Sequence, residues 1–164
     1  MKYLFIILFF LIAIYAFTLL NFYSDHWLYV QPMLIAVLLV YYNISQSWLY
    51  YSFASLAGLF VDSLNGIFGL QAIIFVIIIF ILRSLQLTLF TSKNILTIIL
   101  LTILAFIIFW LLLWSTSFIF NFQLYFLTKE IFIMILRGLV VNTFMTIFLH
   151  ILFFNFWLKK QERH

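Results

Sequence analysis

Long apolar runs with almost no charge between them constrain the fold of this chain more than any other feature. The 164 residues include only eight basic and four acidic side chains, and 68% of the residues are hydrophobic. A soluble domain is typically about one quarter charged, because polar side chains have to cover its core. So few charges cannot cover a globular protein of this length. The composition therefore predicts that the lipid bilayer is the solvent for most of the chain.

The apolar runs predict an all-α membrane protein with about six transmembrane helices in a single domain, residues 1–164. A helix needs about 20 apolar residues to cross a hydrocarbon core about 30 Å thick. The polar segments between the runs are short, so no separate soluble domain is expected. The predicted spans cover residues 3–20, 27–42, 48–61, 67–87, 95–114 and 131–158. The first run is longer than the apolar part of a signal peptide and lacks a small-x-small cleavage site, so we expect an uncleaved span.

Basic residues predict the orientation, because loops rich in Lys and Arg stay in the cytoplasm. With the N-terminus inside, most bases lie at or near the cytoplasmic side, namely Lys2, Arg83, Lys93, Lys159, Lys160 and Arg163. Only Lys129 would lie clearly outside, together with Asp25 and Glu130. Both termini are therefore expected in the cytoplasm, in agreement with an even number of spans. Since the bases mark topology, the net charge of +4 gives no reason to expect nucleic acid as a partner.

No sequence pattern points to catalysis, a metal or a cofactor. Cysteine is absent, and His26, His150 and His164 lie far apart without metal-ligand spacing. The chain lacks the nucleophile-elbow, zinc-protease and phosphate-binding glycine motifs. Asp25, His26 and Ser63 could share the outer side, but no motif connects them. We therefore expect a non-enzymatic protein with no cofactor.

Two ionisable residues, Asp62 and Arg137, are predicted to lie inside spans, where such groups are costly and often functional. Asp62 is expected at the outer end of the third span, and Arg137 about 10 Å below the outer surface in the sixth. Their similar depth suggests an ion pair or a shared hydrogen-bonded network. The alternative is that Asp62 caps the fourth helix or the turn before it, while Arg137 extends toward the surface. Arg83, nearer the cytoplasmic end, is explained by such an extension.

Small and polar residues recur every four positions on two spans. They are Ala54, Gly58 and Asp62 on the third span, and Gly138, Asn142, Thr146 and His150 on the sixth. Such stripes let helices approach closely and form hydrogen bonds across the contact. They could pack inside the bundle or receive the transmembrane helix of a partner, and the sequence leaves both possibilities open.

Two segments of the chain resemble the MreD family of rod shape-determining membrane proteins. Residues 31–42 are similar to the second span of that family, which has a proline, here Pro32, near its start. Residues 57–72 are similar to its G-x-x-x-D pattern, which is followed by a short segment ending in Leu-Gly or Phe-Gly. The positions onto which this motif maps are Gly58, Asp62 and Gly69. Asn142 in the last span and the basic tail after it also fit.

The resemblance implies a multi-pass protein of the bacterial inner membrane that belongs to the machinery building the lateral cell wall. Its implied partners are an MreC-like protein with one span and a periplasmic coiled coil, the MreB filament, and the RodA synthase with its transpeptidase. The implied mechanism is docking of transmembrane helices among membrane lipids. In this motif Gly58 would permit a close crossing, Asp62 would fix the outer turn and Gly69 would admit tight entry of the fourth helix.

Two other classes stay open. Six short spans also resemble the substrate-binding subunit of energy-coupling-factor vitamin transporters. Those subunits usually carry an Ala-x-x-x-Ala stripe on the first span, whereas Ala13 and Ala16 are three apart here, and few polar groups could converge on a ligand. A lipid-modifying enzyme is a more distant alternative, because four acids are few for a typical metal-dependent enzyme of that kind.

Overall fold

Six α-helices make up the part of the chain that the computed structural model describes, which is residues 2–23, 29–66, 69–88, 94–119 and 128–153. They are α1 Lys2–Tyr23, α2 Pro32–Asn43, α3 Ser47–Asn65, α4 Leu70–Thr88, α5 Ile95–Ile119 and α6 Lys129–Phe153. Within these ranges no strand occurs. The polar segment containing Asp25 and His26, and the basic tail after Leu158, lie outside the described residues.

Three of the helices, α4, α5 and α6, are long and apolar enough to cross a membrane. Two further apolar helical stretches are shorter, Ile6–Leu20 in α1 and Pro32–Asn43, the whole of α2. The predicted all-α architecture is therefore confirmed for the described residues, three of whose helices could span a membrane by length and composition. The count of six spans stays a prediction.

One of the larger boundary differences concerns α2, which begins at Pro32 rather than near Trp27. Proline fits the first helical turn because it has no N–H to leave unpaired, and it keeps the preceding residue out of the helical conformation. Gln31 accordingly has φ −117° and ψ 76°. The helix has only 12 residues, which is about 18 Å and shorter than the hydrocarbon core. By contrast, α3 and α5 continue past their predicted ends, to Asn65 and Ile119.

The short helix α2 lies at the centre of the bundle and contacts α1, α3, α4 and α6. Ten of its twelve residues are buried, as expected for a helix that is apolar on every side. They form one core cluster with buried side chains of the other helices, which include Phe75, Phe106 and Phe109. α2 is thus a core helix in position, although its composition resembles that of a membrane span.

Hydrogen bonds identify the helix segments that share one end of the bundle. The Tyr41 hydroxyl on α2 donates to Gln86 Oε1 on α4 at 2.6 Å. Asn43 Nδ2, also on α2, lies 3.3 Å from Nδ1 of His150 on α6. The last turns of α2, α4 and α6 therefore meet here, and we call this the Tyr41 end. The opposite end, where α3 turns into α4, is called the Asp62 end.

Candidate functional site

The Asp62 carboxylate connects the last turns of α3 to the first turn of α4. The Gln71 backbone N–H donates to Oδ1 at 2.9 Å, and the Ala72 N–H donates to Oδ2 at 3.2 Å. The first N–H groups of a helix have no partner within it and carry partial positive charge, so a carboxylate stabilises them. Asp62 is only 1% exposed, which strengthens this interaction by excluding water. Asp62 therefore caps α4 from a neighbouring helix.

Gly58 allows α3 and α4 to come close enough for this cap. A Cβ at Gly58 would clash with the backbone of Ala72 and would stand 2.6 Å from the carbonyl carbon of Gln71. Any side chain would have to push the two helices apart and draw the Asp62 carboxylate away from its donors. Ala54, one turn earlier on the same face, is fully buried as well. The close crossing that the sequence predicts is thus one between α3 and α4.

The turn between α3 and α4 contains two glycines with positive φ. Gly66 has φ 72° and Gly69 has φ 86°, values that residues with a Cβ rarely adopt. No atom of the described residues lies within 4 Å of the place that a Cβ would occupy at either glycine. Gly69 is therefore required by its backbone conformation. The resemblance implied that Gly69 makes room for tight entry of the fourth helix. The structure corrects this expectation, because Gly69 is needed for its φ angle and not for space.

A second polar contact joins α6 to the non-helical residues before α2. Asn142 Nδ2 donates to the Tyr29 carbonyl oxygen at 2.8 Å, and its Oδ1 accepts from the Gln31 N–H at 2.9 Å. The Asn142 side chain has no exposed surface. Gly138, one turn earlier, leaves room for this segment, because a Cβ there would stand 2.8 Å from the Tyr29 oxygen. Each of these buried backbone groups would otherwise cost about 1–3 kcal/mol if unpaired.

The stripe on α6 that begins at Gly138 and Asn142 continues along α2. Thr146 is fully buried, and its hydroxyl donates to the Asn142 carbonyl oxygen at 2.7 Å. The His150 imidazole lies against the Tyr42 ring, with the two ring centroids 6.0 Å apart. Of the two possibilities left open by the sequence, internal packing is therefore the role that the structure gives to this stripe.

Arg137 and Asp62 do not meet in the structure. Arg137 is exposed on α6, whereas Asp62 is buried and both of its oxygens accept hydrogen bonds from the start of α4. Within the described ranges no ion pair joins the two residues. The helix cap, which was the alternative explanation for Asp62, takes the place of the expected pair. Asp62 and Arg137 therefore lie in separate surroundings, and Gly138 and Asn142 lie on the side of α6 that faces α2 and the segment before it.

The described residues also form concave surfaces beside these contacts, and two of them have linings relevant to binding. An apolar groove of about 180 Å³ lies between α1, α2 and α6, and its lining includes Ala13, Ala16 and Ala36. A pocket of about 380 Å³ lies at the Tyr41 end and has a partly polar lining that includes Arg83. In the part of the chain that the structure describes, no three His, Cys, Asp or Glu residues are grouped so that they could hold a metal ion.

Comparison with protein-family models, with curated proteins and with solved structures finds no match to this chain. The motif in residues 31–72 and the contacts that its residues make are therefore the basis for a functional proposal.

Proposed function

We propose that this chain is a non-enzymatic scaffold of the rod elongation complex in the bacterial inner membrane, as its resemblance to the MreD family implies. The observation that carries the proposal is the role of the motif residues Pro32, Gly58, Asp62 and Gly69. Pro32 marks the start of α2, and Gly58 allows α3 and α4 to cross closely. Asp62 caps the start of α4, and Gly69 provides the positive φ in the turn before it. Residues that determine shape, rather than reactive groups in a cleft, are what a scaffold requires.

The proposal includes six spans with both termini in the cytoplasm, and the short α2 is compatible with it. Its 12 residues are about 18 Å long, and the three non-helical residues 29–31 add up to about 10 Å, which together approach the hydrocarbon thickness. Non-helical backbone is tolerated at membrane depth where it is buried in protein and its polar groups are bonded. Asn142 supplies such bonds to Tyr29 and Gln31.

The partners in this proposal are an MreC-like protein with one span and, through it or directly, MreB, RodA and its transpeptidase. Because Gly138 and Asn142 are occupied by the segment before α2, a partner helix would dock on an outer face of the bundle. The absence of cysteine from the chain makes such a face easy to locate by cross-linking. Single cysteines at exposed positions, such as Phe144, are compared with one at the buried Thr146. We expect cross-links to the partner from one exposed face and none from Thr146→Cys.

The proposal is tested by depleting the protein in its source bacterium and measuring cell shape. We expect depleted cells to lose their rod shape and to regain it when the wild-type chain is supplied. The Asp62→Ala variant should insert into the membrane but restore shape poorly, since the start of α4 loses its cap. Ser63→Ala is the matched control, because Ser63 is the exposed neighbour of Asp62 and bonds only within its own helix. Rod-shaped growth that continues after complete depletion would contradict the proposal.

A further inference from the structure

The pocket at the Tyr41 end has the composition of an anion-binding site. It lies where α2 ends, α3 begins and α4 reaches its last turns. Among the described residues, its polar lining consists of Tyr41, Ser45, Tyr50, Arg83 and Gln86. All five side chains can donate hydrogen bonds, and none is a carboxylate. The rest of the lining, Ile44 and Leu87, is apolar.

Arg83 supplies the positive charge of this pocket. It is half-buried and lies five residues before the end of α4 at Thr88. Its guanidinium makes neither a hydrogen bond nor an ion pair with any residue that the structure describes. The two acidic residues within the described ranges are Asp62, at the opposite end, and Glu130, which is about 30 Å along α6 from His150. A half-buried guanidinium that has five donors and no carboxylate near it among the described residues is suited to an anion from outside the chain.

Two neutral groups extend the donor set around Arg83. The Tyr41 hydroxyl donates to Gln86 Oε1, which leaves the Gln86 Nε2 donors for a ligand. Tyr50 is only 5% exposed, and its ring packs edge-on against that of Tyr41 with 5.3 Å between centroids. The Tyr50 hydroxyl has no hydrogen-bond partner among the described residues. The pocket therefore has a rigid wall and several free donors, which match the acceptor oxygens of a phosphate group.

The place of the pocket in the bundle indicates the source of the phosphate. Helix ends lie at the level of lipid head groups, where tyrosine is enriched. Arg83 is about 7 Å along α4 from the helix end, and the apolar Ile44 and Leu87 line the same opening. A lipid offers both a phosphate for the donors and a glycerol and acyl region for the apolar rim. Positive charge at this level also attracts anionic lipids.

We propose that this pocket binds the phosphate group of an anionic phospholipid, with Arg83 as its charged ligand and Tyr50 and Gln86 as neutral donors. The site lies at the Tyr41 end, far from the Asp62 cap and at the opposite end of α2 from the segment that Asn142 holds. It does not depend on the scaffold function proposed above.

The test is lipid binding to the purified full chain in neutral detergent, measured by native mass spectrometry with phosphatidylglycerol or phosphatidylcholine added. Both lipids carry the phosphate, but phosphatidylcholine adds a trimethylammonium group that the Arg83 guanidinium repels, so we expect the wild type to prefer phosphatidylglycerol by about tenfold or more. Arg83→Gln should abolish the preference and Arg83→Lys should keep part of it. Tyr50→Phe, which removes only the hydroxyl, should weaken binding about fivefold. Arg137→Gln is the control, because it removes the same charge from an exposed site on α6.

Three results would overturn the proposal. The first is equal binding of both lipids by the wild type. The second is an equal loss of preference in Arg83→Gln and Arg137→Gln, which would show that only overall charge matters. The third is displacement of the lipid by inorganic phosphate at the same concentration, which would assign the site to a soluble phosphate compound. If Arg83→Gln does not fold, the lipid preference of Arg83→Lys and the lipid affinity of Tyr50→Phe are compared with those of the wild type instead.

Discussion

Asp62 and Asn142 each bind two backbone groups of another segment, but they do so over very different distances in the sequence. Asp62 reaches N–H groups nine and ten residues away, across one turn. Asn142 reaches Tyr29 and Gln31, which are 113 and 111 residues away. Both side chains are almost completely buried. The bundle therefore uses one contact that forms locally and one that forms only when α6 and the segment before α2 have come together.

The chemistry of the two contacts differs as well. Asp62 meets two donors at the positive end of a helix, which favours a charged group with two acceptor oxygens. Asn142 meets one carbonyl oxygen and one N–H, which requires a donor and an acceptor on the same side chain. The two residues are nearly equal in size, so exchanging them tests hydrogen-bond chemistry with little change in packing.

Asn142→Asp is expected to have the most severe effect. At neutral pH the new carboxylate would face the Tyr29 carbonyl oxygen, and a buried charge without a partner costs about 3–5 kcal/mol. At acid pH the protonated carboxyl could donate to that oxygen as the amide does, so stability should return. Unfolding of the purified chain in detergent at both pH values measures this. Equal stability of variant and wild type at neutral pH would show that Asn142 does not hold the segment before α2.

Gly58→Ala should be next in severity, because the new methyl group has to displace the backbone of Ala72. Overpacking of this kind costs about 1–3 kcal/mol. Ser52→Ala on the exposed side of α3 is the control and should change stability by less than about 0.5 kcal/mol. Denaturant unfolding of both variants gives the comparison. A Gly58→Ala variant as stable as Ser52→Ala would remove the evidence for a close crossing of α3 and α4.

Asp62→Ala should lower stability by about 2 kcal/mol, because two buried N–H groups lose their acceptor. Asp62→Asn should lose about half as much, since one amide oxygen can still accept from Gln71 or Ala72. The Asn variant separates the contribution of the charge from that of hydrogen bonding. Hydrogen exchange at the Gln71 and Ala72 amides reports the same effect directly. Unchanged protection in Asp62→Ala would contradict the capping role.

Gly69→Ala should have the smallest effect, about 1 kcal/mol, from the strain of a Cβ at positive φ. Gly69→Asn should be milder, because asparagine tolerates left-handed conformations better than alanine. Thermal unfolding of the two variants tests this order. A larger loss for the bulkier asparagine would indicate that space, rather than backbone conformation, is what the turn requires.

The α3–α4 turn could be anticipated from the sequence because everything that defines it lies within residues 58–72. The spacing of Gly58 and Asp62 predicts a close face, and the cap was one of two explanations for the carboxylate. Gly69 was expected to make room for the fourth helix. A sequence shows that a glycine is present, but it does not give the φ angle, which is what requires glycine here. Local patterns of this kind therefore indicate that two segments are in contact more reliably than they indicate why a given residue is needed there.

The α2–α6 contact could not be predicted to the same extent. The stripe containing Gly138 and Asn142 indicates a close face, but nothing in the sequence names residues 29–31 as its partner. The apolar run around α2 also conceals the start of the helix, which only Pro32 marks. The Asp62–Arg137 pair was inferred from equal depth, and depth does not determine the direction in which a side chain points around its helix. Adjacent helical residues differ by about 100° in direction, so Arg137 faces outward although Gly138 faces α2.

The scaffold proposal is tested most directly by purifying the tagged protein from native membranes in mild detergent and identifying its partners by mass spectrometry. We expect a single-span coiled-coil protein of the MreC type and the elongation synthase with its transpeptidase. Ser63→Ala should recover the same partners as the wild type, whereas Asp62→Ala should recover less of them. Recovery of a coupling subunit with paired ATPases would contradict the proposal and assign the chain to a vitamin transporter.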